Sequence, residues 1–252
     1  MMTEAARLLR TRHWMALVAL IVSAWLVLIA SSVPAELRAS GRVFGTDILA
    51  ALCVITQDAA GFARNTAMWM VMSVAMMVPP AIRAFAAYEE LTDAGSARFW
   101  RLVAGFLAVW AGFAMLAAAS QIALFDAGLV SPYGELRSQT LSALLLIGAG
   151  VYQFSPTKAR CLAPYHQKAT LMLSQRDGDA WQAGLRLGRA SLGCCWALMS
   201  LAFVGGAMNV AVMALATLVL IGEKTPPLGQ HVTRPVGWAL IGSGLLLGVS
   251  AA

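Results

Sequence analysis

The sequence predicts an all-α protein, a polytopic transmembrane helix bundle of about six or seven spans that forms a single membrane domain over residues 1–252. Apolar residues make up 60% of the chain and charged residues 12%, against about 45–50% and 25% in soluble domains. Several apolar runs approach or exceed the ~20 residues that cross a hydrocarbon core of ~30 Å. These runs are continuous rather than alternating, which favours helices over a closed barrel.

The first predicted helix covers residues 14–32 and follows three arginines, Arg7, Arg10 and Arg12. A signal peptide also begins with basic residues, but this apolar run is longer than a signal needs, so we expect a retained helix with a cytoplasmic N-terminus. Residues 33–65 then form a predicted outer segment. Apolar residues at helical spacing over residues 44–57 predict a short amphipathic helix on the outer surface.

Three further helices are predicted over residues 66–87, 99–124 and 138–154. Pro79-Pro80 lies inside the first of these and is expected to kink it. Residues 156–189 carry six basic and two acidic residues. The positive-inside rule therefore predicts a cytoplasmic loop here, in agreement with the N-terminus, and a multi-pass protein of the inner (plasma) membrane.

The apolar stretch over residues 191–222 is too long for one span, because a straight helix of that length extends about 48 Å. Gly205-Gly206 and Asn209 lie near its middle and predict a broken helix or two short helices. One steeply tilted helix is the alternative. The last helix begins at Pro235, and its Gly244 and Gly248 have the spacing of a close helix contact.

Several function classes find no support in the sequence. It contains no P-loop, dinucleotide-binding, nucleophile-elbow or HExxH motif, and its three histidines lie outside the predicted spans. No acidic residue is expected inside a span, which argues against an energised pump. The basic residues are concentrated where topology requires them, so nucleic acid is not an expected partner, and no enzymatic activity is predicted.

Sulfur-containing side chains carry the remaining chemistry. Five of the 13 methionines lie between residues 68 and 77, and Cys194-Cys195 precede Met199 on a later helix. Thioethers and thiolates are soft ligands that select Cu(I) and similar ions. The candidate metal ligands are Met72, Met76, Met77, Cys194, Cys195 and Met199. The alternative is packing alone, since Met fills gaps in helical cores and free Cys behaves as a small hydrophobe.

Three stretches resemble a bacterial family of predicted metal-binding integral membrane proteins, classed as a domain of unknown function. They are Trp69-x-x-Met72-x-x-Ala75-Met76-Met77-x-Pro79, Tyr152-Gln153-Phe154-Ser155-Pro156-x-Lys158-x-x-Cys161, and Gly193-Cys194-Cys195-Trp196-Ala197-Leu198-Met199, which continues to Glu223-Lys224. The chain departs from the family at Tyr165, where members often carry a second loop cysteine. The resemblance implies metal binding without specifying the metal.

Two functions remain open at this point. The leading hypothesis is a membrane protein that binds or moves a soft metal ion, Cu(I) first, at a site where the helix of Met72 meets the helix of Cys194. The bilayer and other membrane or metal-carrier proteins are its expected partners. The alternative is a non-catalytic assembly or accessory subunit without metal. A redox enzyme is a weaker third hypothesis, because no histidine is expected within the membrane.

Overall fold

The fold was described from a computed structural model, which covers residues 12–32, 58–92, 95–131, 134–166, 179–205, 209–226 and 228–250. The helices in these ranges are α1 (Arg12–Ser32), α2 (Ala59–Thr92), α3 (Ser96–Asp126), α4 (Gln139–Gln153), α5 (Pro156–His166), α6 (Ala180–Ser200), α7 (Ala202–Gly205), α8 (Val210–Glu223) and α9 (Gly229–Ser250). In these ranges the only β-type pairing is an isolated bridge between Val130 and Leu136.

The predicted all-α helical bundle is confirmed. Five helices are long and apolar enough to cross a membrane: α1, α2, α3, α6 and α9. Helices α4 and α8 have 15 and 14 residues, and each therefore extends only about 21–23 Å. Of the six or seven predicted spans, five therefore correspond to helices in the described ranges that are long and apolar enough to cross a membrane, and α8 is a shorter apolar helix.

Glycines bring two pairs of helices into close contact. Gly105 of α3 lies against Gly184 of α6, and Gly188 lies against Val109 one turn further along both helices, so α3 and α6 run parallel. Helices α4 and α9 run antiparallel. A Cβ on Gly244 would come 2.8 Å from the carbonyl oxygen of Ala143, so this glycine makes the close helix contact that its spacing predicts.

Helix α2 runs antiparallel to α3 and also packs against α1 and α8. It continues through Pro79-Pro80 and begins at Ala59, so residues 59–65 belong to this helix rather than to an outer segment. The amphipathic helix predicted over residues 44–57 lies outside the described residues. At the other end of α2, Glu89 accepts hydrogen bonds at 2.7 Å from the Trp14 indole and binds the His13 ring at 2.7 Å.

The predicted break in the 191–222 stretch is present. Helix α6 ends at Ser200, α7 covers one turn to Gly205, and α8 begins at Val210. The Asn209 side chain accepts a hydrogen bond from the Val212 amide at 3.2 Å and caps α8. Asn209 therefore starts a new helix, and one continuous tilted helix is excluded.

Candidate metal centre

Two adjacent thiols lie inside the bundle. Cys194 and Cys195 of α6 are buried, are not disulfide-bonded, and have Sγ atoms 3.1 Å apart. The Cys194 thiol also donates to the carbonyl oxygen of Ser191 at 3.1 Å, one turn earlier in α6. Two soft donors thus lie side by side inside the bundle.

All the methionines predicted as ligands are buried in the same hydrophobic core. Met199 follows Cys195 by one turn of α6, and Met72, Met76 and Met77 lie on α2 with at most 3% of their surface exposed. The prediction that the helix of Met72 meets the helix of Cys194 is not confirmed. Helices α2 and α6 do not pack extensively on each other; each packs against α3.

The contacts with α3 allow the heights of the two sulfur groups to be compared. Trp69 of α2 contacts Phe113 and Gln121 of α3, whereas Gly188 of α6 lies beside Val109. Met72 follows Trp69 by about one turn of α2, and the thiol pair follows Gly188 by about two turns of α6. Because α2 runs antiparallel to α3 and α6 runs parallel to it, Met72 and the thiol pair both lie opposite the same turn of α3. Ala114, which is fully buried, lies in that turn.

A buried ion pair lies close to the thiols and was not predicted. Lys158 of α5 donates to both carboxylate oxygens of Glu223 at 2.8 and 2.9 Å, and its ammonium also contacts the amide oxygen of Gln153. Lys158 is 1% exposed and Glu223 is fully buried. Glu223 follows the predicted 191–222 stretch by one residue, ends α8 and is buried in the bundle, where Lys158 offsets the cost of burying its charge.

Lys224 connects this polar cluster to the thiols. Its ammonium donates to the Ser191 hydroxyl at 2.8 Å and lies 4.6 Å from the centre of the Tyr165 ring. Ser191 is also the residue whose carbonyl accepts the Cys194 thiol. Lys224 is 3% exposed. Burial opposes its charge, yet the charges that Cys195 and Tyr165 can carry outweigh this, and the pKa of Lys224 lies above its ordinary value.

A third cysteine, Cys161 of α5, lies next to the segment of α6 that carries the thiol pair. The Sγ atom of Cys161 packs over Gly193, where a Cβ would come within 2.5 Å of it, and the Tyr152 hydroxyl donates to the Gly193 carbonyl at 2.5 Å. Burial, and secondarily negative charge at Cys195, raises the pKa of the Cys161 thiol. The expected loop cysteine therefore lies beside the thiol pair.

The sequence contained a signal for these additional residues. Gln153, Lys158, Cys161 and the Glu223-Lys224 pair all belong to the stretches that carry the family resemblance. Those stretches lie far apart in the chain, and the fold brings them to one end of α4, α5, α6 and α8. What they share is proximity to Cys194 and Cys195, and we read them as one site.

The donor set suits a soft cation. Within the described ranges, no three His, Cys, Asp or Glu side chains form a cluster that could hold a metal ion. The adjacent thiols, with thioethers at the same height, match the preference of Cu(I) for sulfur.

Comparison with known proteins yields one family. No curated protein sequence and no solved structure matches the chain. A family model described as "PpoB2: Copper chaperone" matches residues 66–247, a range that includes α2 with its methionines, the thiol pair and the buried charges. The chain belongs to this copper chaperone family.

Proposed function

We propose that this chain is an integral membrane copper chaperone that binds Cu(I) inside its helix bundle and transfers it to a partner protein. Cys194 and Cys195 serve as the anchoring thiolates. Met72, at their height, and Met199, one turn further along α6, serve as thioether ligands, and Met76 and Met77 of α2 are additional candidate ligands. The observation that carries the proposal is the buried thiol pair, 3.1 Å apart, at the height of Met72.

A buried lysine can supply the counter-charge that the copper-loaded site needs. Two thiolates and one Cu⁺ make a complex with one net negative charge, and an anion in an apolar core needs a counter-charge. Lys158 is paired with Glu223. Lys224, held by Ser191 one turn from the thiols, is the cation placed to neutralise the loaded complex. Its role is to position and stabilise charge, since an ammonium cannot ligate the ion.

The proposed topology follows from the charges in the sequence. Arg7, Arg10 and Arg12 precede α1, and six basic residues lie between 156 and 189, so both regions belong to the cytoplasmic side. The buried charges then lie towards the cytoplasmic ends of α4 and α8. Reporter fusions after Arg12 and at Gly178 test this, and a periplasmic report from Gly178 would reverse the orientation.

Competition titration tests the copper site itself. Detergent-purified protein, loaded with Cu(I) under reducing conditions, is titrated with a chromogenic Cu(I) chelator. Replacing Cys194 and Cys195 together by Ser removes the soft donors at nearly constant volume and is expected to abolish tight binding. Unchanged affinity in a correctly inserted double variant would disprove the site, and a parent protein that takes up no copper would support the accessory-subunit alternative.

Two further substitutions separate ligation from packing. Met72→Leu is expected to weaken binding by less than the double serine variant, because a neutral thioether compensates less charge than a thiolate. Met115→Leu is the matched control, since Met115 is 49% exposed on α3. Lys224→Met is expected to lower Cu(I) affinity roughly 10–100-fold, as the loss of an outer-shell partner does, whereas Lys224→Arg should retain most of it.

A further inference from the structure

A polar cavity borders the buried pair of Lys158 and Glu223 where α4, α5 and α9 meet. Its volume is about 350 Å³. The lining includes Gln153, Ser155, Lys158, Thr233 and Arg234, all of which carry hydrogen-bond donors. Among the described residues, no acidic side chain lines the cavity. Lys158 is paired with Glu223 and the Thr233 hydroxyl donates to the Gly229 carbonyl, so the donors that face an anion there are Arg234, Ser155 and the Gln153 amide.

One buried donor in this lining lacks a partner. Gln153 is 4% exposed, and its amide oxygen is occupied by Lys158, but its Nε2 group makes no hydrogen bond. An acceptor that reaches this group from the cavity would satisfy it.

Two other features contribute positive potential. Arg234 is exposed and forms no ion pair with any described residue, so its guanidinium is available to an anion. The cavity also contains the start of α5, where the Ser155 hydroxyl accepts the Lys158 amide at 3.1 Å and keeps its own proton to donate. The N-terminal end of this 11-residue helix carries partial positive charge.

From these observations we propose that the cavity binds a phosphate group, held by Arg234, the Gln153 amide and the Ser155 hydroxyl. The surroundings favour the headgroup of an anionic phospholipid as its source. Phe154 lines the cavity and packs on Trp238 with ring centres 5.3 Å apart, and both rings are exposed. Aromatic rings beside a basic pocket at a helix end are typical of the membrane interface.

Thermal unfolding of the full-length protein in detergent tests the proposal. Added phosphatidylglycerol is expected to raise the Tm, and phosphatidylcholine, whose headgroup has no net charge, to raise it less. Inorganic phosphate forms a separate arm: an equal rise with phosphate alone would support the site and identify free phosphate as the source. If neither phosphatidylglycerol nor phosphate raises the Tm, the proposal is overturned.

Arg234→Gln is the diagnostic variant, and Arg101→Gln is its matched control, because Arg101 is equally exposed near the start of α3. The Arg234 change is expected to weaken phosphatidylglycerol binding about tenfold or more, measured by native mass spectrometry, since a charged hydrogen bond is lost. Equal lipid binding by the two variants would contradict the site. Cu(I) affinity is expected to be unchanged in both variants, which separates this test from that of the sulfur site.

Discussion

Substitutions in the buried pair of Lys158 and Glu223 test directly whether the fold buries these two charges together. At 2.8 Å and an effective dielectric constant of about 20, the gross attraction between the two charges is about 6 kcal/mol. Desolvation offsets most of it, so the pair itself adds little net stability. Removing only one partner of the pair has a larger effect on the free energy of unfolding. Glu223→Gln leaves an ammonium that is 1% exposed without its counter-charge, and is expected to cost about 3–5 kcal/mol.

A double-mutant cycle measures this coupling. Unfolding free energies are compared for the parent protein, Glu223→Gln, Lys158→Met and the double variant in mixed micelles. The double variant is expected to be more stable than Glu223→Gln alone, because it removes the uncompensated charge as well. A loss below about 1 kcal/mol in Glu223→Gln, or a double variant whose loss equals the sum of the single losses, would refute the buried pair.

Two other predictions address helix packing and thiol burial. Gly184→Ala places a methyl group against the α3 backbone and is expected to cost about 1–3 kcal/mol of unfolding free energy. Gly112→Ala is the control, because a Cβ there would have nothing within 4 Å, and it should be neutral or slightly stabilising. Similar losses in both variants would contradict the close α3–α6 contact. Burial raises the pKa of the Cys161 thiol, so the folded state favours the protonated thiol. The free energy of unfolding therefore falls as the pH rises above the pKa that this thiol has in the unfolded chain. In a variant whose other cysteines are Ser, maleimide labelling of Cys161 should therefore rise at a higher pH in folded than in denatured protein, and coincident profiles would show the thiol to be exposed.

The helical architecture follows from local properties of the sequence. Continuous apolar runs predict helices because backbone groups in lipid must be satisfied within the segment. The break after α6 was also foreseeable, since a 32-residue apolar stretch exceeds the membrane and contains Gly205-Gly206 and Asn209. The start of α2 was not foreseen. Helix α2 begins before the apolar run, at Ala59. Residues 59–65 include Arg64 and Asn65, and these polar side chains do not indicate a membrane helix in the sequence.

The composition of the site was only partly foreseeable. Methionine spacing on α2 and the Cys194-Cys195 pair predict candidate sulfur donors, because soft-ligand chemistry can be read from residue types alone, and these side chains are buried in the bundle. The pairing of Lys158 with Glu223 joins residues 65 positions apart. No local pattern encodes that contact. Charged residues at the ends of apolar runs predict exposure by default, and only packing against neighbouring helices determines that these face inward.

X-ray absorption at the copper edge of the Cu(I)-loaded protein tests the central claim most directly. We predict a first coordination shell composed of sulfur, without nitrogen or oxygen ligands, and loss of that shell when Cys194 and Cys195 are both replaced by Ser. A shell dominated by nitrogen or oxygen, or an unchanged sulfur shell in the double variant, would contradict an intramembrane copper site built on this thiol pair.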